Sequence, residues 1–169
     1  NMVEHHPEAT VVLASHGRGR SAALLGSVTG ELLERIFGPL LVVGPRVLAD
    51  RFDGPIIVTV DGSDASESVL PLAAAWAIEI GQELWIVEVA GAEPASSGQF
   101  SEAAYPAGLA RALAARSGHP VQFEMLHGQQ VHEEVAHFAT TIGASMIVTS
   151  TRGRTGMSRF VIGSTATAI

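Results

Sequence analysis

Short apolar runs alternate with amphipathic stretches along the chain. Val11-Val12-Leu13-Ala14 is too short for a helix, is partly β-branched and is followed by turn residues, so it reads as a buried strand. Val28, Leu32, Leu33, Ile36 and Phe37 then recur at helical spacing, and Gly38-Pro39 ends that helix as a C′ glycine followed by proline does. Leu40–Val43 is the next strand, closed by Gly44-Pro45. Ile56–Val60 is apolar on both faces, as in a parallel sheet covered by helices. The turn Asp61-Gly62-Ser63-Asp64 leads into a helix that Ser66 or Asp64 can cap, with Val69, Ala73, Trp76, Ala77 and Ile80 as its apolar face. Pro71 is tolerable only near a first turn and so favours a late helix start; Gly81 is the stop.

The alternation continues. Leu84–Val89 reads as a strand and residues 91–101 as a loop without a packing pattern. An alanine-rich helix runs from about Glu102 to Ser117 and ends at Gly118. Val121–Leu126 alternates weakly and makes an edge strand, after which Val131, Val135, Phe138, Ala139 and Ile142 mark an amphipathic helix ended by Gly143. Met146-Ile147-Val148 is a buried strand. Strand and helix in turn predict an α/β fold with a parallel sheet and right-handed crossovers.

Composition narrows the function classes. A hydrophobic content of 47% against 16% charged residues excludes a disordered chain. A net charge of −7 argues against nonspecific nucleic-acid binding, which needs a basic face. No apolar run is long enough to span a membrane and nothing at the start reads as a signal peptide, so neither nucleic acid nor membrane is an expected partner and a cytoplasmic location is the default. The absence of cysteine excludes disulfides and thiol chemistry. His5-His6 reads as solvated surface, and His132 and His137, five apart, do not share a face as a zinc pair would. No metal site is expected.

The candidate chemistry follows Met146–Val148. That strand runs into Ser150-Thr151-Arg152-Gly153-Arg154-Thr155-Gly156, and Gly163-Ser164-Thr165 reads as the start of another helix. Strand, glycine loop and helix N-terminus together make a phosphate site, because free backbone N–H groups and the helix dipole converge there. The other reading of the glycines is an ordinary βα loop. No P-loop lysine follows them and no nucleophile–histidine pair is identifiable, so no catalytic residues are assigned and any hydrolysis of a bound phosphate ester would be slow and incidental.

Gly153, nine intervening residues and Gly163-Ser164 resemble the nucleotide-binding signature of the universal stress protein family, G-x-x-G-x9-G-[S/T], with Ser150 at the leading glycine position. Ile56-Ile57-Val58-Thr59-Val60-Asp61-Gly62-Ser63 resembles the opening strand of that family and its acidic residue. The resemblance implies an α/β, doubly wound parallel sheet of strand order 3-2-1-4-5, Rossmann/adenine-nucleotide alpha hydrolase-like. Ligands would bind at its switch point between strands 1 and 4. It also implies ATP as the ligand, with or without Mg2+. Thr59, Asp61 and Val89 would lie around adenosine with Thr149 and Ser150 beside them, while Gly153, Gly163, Ser164 and Thr165 would surround the phosphates. For Asp61 the competing role is a turn carboxylate, and for Arg152, Arg154 and Arg159 it is a solvated loop cation.

The glycine pattern recurs. Gly17 and Gly26 repeat Gly153 and Gly163 at nearly the same offset, a domain-sized period, although eight residues separate the first pair and nine the second. Residues 1–48 therefore resemble the last third of a first domain, 49–55 a linker, and 56–169 a second domain without its last strand. The expected function is an adenine-nucleotide-binding regulatory module of the stress response. The alternative is a nucleotide-free module for dimerisation or partner docking. The expected assembly is a homodimer or a tandem-domain pairing through the edge strand Leu40–Val43.

Overall fold

A computed structural model gives the fold and describes residues 10–14, 38–44, 52–90 and 103–151. The chain divides into two compact units at Asp50–Arg51. In the first, β1 (Val11–Ala14) and β2 (Leu40–Val43) pair in parallel, from Val11 opposite Leu40 to Ala14 opposite Val43. They form a two-stranded sheet of their own. The expected buried character of β1 is corrected here. Val12 is 60% exposed and Ala14 is also exposed, while Val11 and Leu13 are half-buried, so β1 is covered on one face only. The expected helix through Leu32, Leu33, Ile36 and Phe37 lies outside the described residues.

In the second unit, β3 (Ile56–Val60), β4 (Leu84–Ala90), β5 (Val121–His127) and β6 (Met146–Val148) form one parallel sheet of order β5-β4-β3-β6. Counted within the unit, the order is 3-2-1-4, in keeping with the implied doubly wound sheet. Val121–His127 is the edge strand that its weak alternation suggested.

Alternation along β3 and β4 supplies both faces of the sheet. Ile56, Val58, Val60, Leu84 and Ile86 pack with Leu70, Ala73, Ala74 and Ala77 of α2 (Leu70–Ile80) and with Ala110 and Leu113 of α3 (Ala104–Ser117). Ile57 and Val87, also fully buried, have the opposite parity. There Trp85 meets Phe138 of α4 (Val131–Ile142) edge to face, with centroids 5.6 Å apart. Burying each such aliphatic side chain stabilises the fold by about 1.5–3 kcal/mol, and this core holds β3 in the middle of the sheet.

Three local details differ from the sequence reading. The helix before Gly81 is two pieces: α1 (Asp64–Glu67), capped by Ser63 and not by Ser66 or Asp64, then α2 beginning at Leu70 with Pro71 in its first turn. Ile80, assigned to the apolar face, is 36% exposed, because the buried stripe turns through Leu70, Ala73, Ala74 and Ala77. Met146 and Ile147 of β6 are only half-buried, whereas Val148 is buried.

Candidate functional site

The site lies where the chain reverses its direction of travel across the sheet. From β3 the chain moves outward through β4 to β5, then returns to place β6 on the other side of β3. The carboxyl ends of β3 and β6 therefore lie side by side at the topological switch point of the sheet, the place where open α/β sheets take up ligands. The parallel register pairs Ile56 with Met146 and Val58 with Val148, so the next step sets Thr59 beside Thr149. Their hydroxyls meet: Thr59 Oγ1 donates to Thr149 Oγ1 at 2.9 Å, and Thr149 Oγ1 donates in turn to the Ser150 carbonyl at 3.3 Å.

On the other flank, Val89 stands one position beyond the last β3–β4 pair, Val60 with Glu88, and so neighbours the turn at Asp61. The structure thus brings Thr59, Asp61, Val89, Thr149 and Ser150 to one edge of the sheet, all of them half-buried. Gly153, Gly163, Ser164 and Thr165 lie outside the described residues, as do Arg152, Arg154 and Arg159.

Asp61 is held by its own turn. Its Oδ1 accepts from the Ser63 amide at 3.1 Å and from the Ser63 hydroxyl at 2.6 Å. Gly62, at φ 81°, occupies the left-handed region that lets the chain bend back so tightly. Ser63 Oγ also accepts from the Ser66 amide at 3.2 Å, which makes it the N-cap of α1. Ser66 closes the loop. Its hydroxyl accepts the Asp61 amide at 3.2 Å and donates to the Ser63 carbonyl at 2.9 Å, so this buried polar side chain is fully engaged. The turn role weighed for Asp61 is therefore present, carried by one carboxylate oxygen.

A further residue, absent from the sequence reading, braces the same turn. Tyr105, in the first turn of α3, donates its hydroxyl to Glu67 Oε1 at 2.9 Å. Burial pushes its phenol well above the usual tyrosine range, the bond and the charge of Glu67 push it further, Glu88 adds a smaller push, and a backbone hydrogen bond from Gly62 opposes them. Nothing in the sequence pairs Tyr105 with Glu67, since that contact exists only once α3 packs on the sheet.

The arrangement offers hydroxyl donors and acceptors and a fixed carboxylate, half-buried together at the carboxyl ends of the strands. That donor set fits the ribose and base edges of a nucleoside, whose polar hydrogens need an acceptor and whose ring nitrogens need donors. Among the described residues no group of three or more His, Asp or Glu side chains is placed to hold a metal ion. No helix among them is long and apolar enough to cross a membrane.

Comparison with known proteins agrees with this geometry. The model of the universal stress protein family matches residues 54–169. A universal stress protein of Mycobacterium tuberculosis is 31% identical over 181 residues, an alignment covering 99% of this chain and 60% of the relative. The chain thus spans about three fifths of the length of that curated relative. A solved universal stress protein from Archaeoglobus fulgidus superposes with a TM-score of 0.54 at 26% identity, covering 67% of this chain and 82% of that one. Another, from Archaeoglobus fulgidus DSM 4304, gives a TM-score of 0.67 at 21% identity over 86% of this chain and 51% of that one. At that identity the likeness concerns the fold alone.

Proposed function

This chain belongs to the universal stress protein family, and we propose that it binds an adenine nucleotide, ATP, as a regulatory module of the stress response. The observation that supports the reading is the meeting of Thr59 and Thr149 at the carboxyl ends of β3 and β6, with Asp61 fixed in the turn that follows β3. Adenosine would lie over the ends of β3 and β4, near Asp61 and the backbone around Val89. The triphosphate would run toward the loop that leaves Ser150, where Gly153, Gly163, Ser164 and Thr165 supply backbone N–H groups and hydroxyls. Mg2+ would travel with the phosphates, held mainly by them and by water. The role is binding and not turnover.

Calorimetric titration of the full chain with ATP tests this. Saturable uptake is expected, and no heat of binding at about millimolar nucleotide, where the free energy is only about −4 kcal/mol, defeats the reading. Gly153→Val should block the backbone approach of the phosphates and weaken binding. A variant that folds and binds as before would remove the loop from the site.

A second reading is a nucleotide-free docking module. It is favoured by Ser150 at the leading glycine of the signature and by the use of Asp61 Oδ1 within its own turn. Mass spectrometry of the denatured purified protein separates the two: co-purified adenine nucleotide supports the first. In either case we propose that β2 mediates assembly, through a homodimer or a tandem-domain pairing. It has β1 as a parallel neighbour on one side, and a strand edge open on the other would invite a partner.

A further inference from the structure

The Asp61 turn is not self-sufficient. Asp61 is oriented by Ser63, Ser63 and Ser66 are tied to each other, and both belong to the start of α1, a helix of only four residues. A single helical turn has little stability of its own, because the nucleus costs more than its few hydrogen bonds return. Something outside must hold it. The last residue of α1 is Glu67, and the bond it accepts comes from Tyr105, whose ring packs against the apolar core from α3. One phenol therefore holds α1 at its last residue, Glu67, while its ring is anchored against the core.

We propose that Tyr105 is the positioning residue for the Asp61 turn: by tying Glu67, at the end of α1, to the core it fixes the carboxylate that the nucleoside would meet. The consequence for affinity rests on the nucleotide reading above; the bracing itself does not. Tyr105 touches no ligand in this scheme. It acts through α1, and a loss of its hydroxyl is felt at Asp61 as added freedom of the turn.

Tyr105→Phe keeps the ring in the core and removes only the hydroxyl, and Glu67→Gln keeps an acceptor for it. Hydrogen exchange of the segment 62–67 and ATP affinity are measured on the full chain and on both variants. In Tyr105→Phe, exchange in 62–67 should quicken about fivefold, the effect of one lost hydrogen bond, and the dissociation constant should rise by a similar factor. Exchange in α2 should stay unchanged, and Glu67→Gln should resemble the unaltered chain in both readouts. Exchange in 62–67 at the original rate in Tyr105→Phe overturns the proposal. So does unchanged ATP affinity in that variant when the unaltered chain binds ATP. If the unaltered chain takes up no ATP, the nucleotide reading falls and the exchange comparison alone decides the bracing.

Discussion

The two ends of the β3–β6 pair are built in opposite ways. At the amino end, every contact is made to backbone atoms. The Ser145 amide donates to the Pro55 carbonyl at 2.9 Å, Ser145 Oγ donates to the Gly54 carbonyl at 2.7 Å, and Gly54 lies so close to Gly143 that a Cβ would collide with its carbonyl oxygen. At the carboxyl end, side chains meet side chains: Thr59 with Thr149, and Asp61 with Ser63. Hydroxyl pairs can exchange partners at small cost, whereas a packed backbone cannot move aside. The first end joins the strands, and the second leaves polar groups at hand for a ligand.

Substitutions at the two ends should therefore separate stability from binding. The largest effect is expected at Gly54. Gly54→Ala forces the added methyl against the Gly143 backbone and should cost about 3 kcal/mol. Thermal unfolding measures it, and a melting temperature equal to that of the unaltered chain would mean the strands are not joined there.

Ser63→Ala comes next, because one hydroxyl both caps α1 and holds Asp61. A loss of about 1–2 kcal/mol in denaturant unfolding is expected, together with weaker ATP binding. Loss of stability with affinity intact would take Asp61 out of the site.

Ser145→Ala removes the bond to the Gly54 carbonyl and should cost about 1 kcal/mol. ATP affinity should not change, since this is the joining end. A drop in affinity at constant fold would break the division between the ends.

The smallest change in stability belongs to Thr59→Val. It is isosteric, and Thr149 keeps the Ser150 carbonyl as an acceptor, so unfolding should shift by less than about 1 kcal/mol. Binding should nonetheless weaken severalfold. Equal affinity would show that the hydroxyl pair faces no ligand.

What could be read from the sequence followed from periodicity. β3 was legible because it is apolar on both faces, and α4 because Val135, Phe138 and Ile142 recur on one side before Gly143. Pro71 correctly delayed α2. The short α1 was merged with α2, since four residues carry no period, and the cap is Ser63 because which of Ser63, Asp64 and Ser66 can reach the helix N–H groups depends on the turn at Gly62. Ile80 was assigned to the apolar face, but the buried residues of the helix, Leu70, Ala73, Ala74 and Ala77, define a narrower stripe that leaves it 36% exposed. Thr59 and Thr149 came from resemblance to a family, and the register then supplied a physical reason for their meeting. Tyr105 had no local signal, because its partner stands on another helix.

The difference between the two ends is tested most directly by mapping ATP onto backbone amides by nuclear magnetic resonance. On titration of the full chain, the amides of Thr59, Asp61, Val89, Thr149 and Ser150 should shift together and saturate. Those of Gly54, Gly143 and Ser145 should stay in place. Shifts at the amino end with none at the carboxyl end, or no shifts at either, would contradict a nucleotide site at the carboxyl ends of β3 and β6.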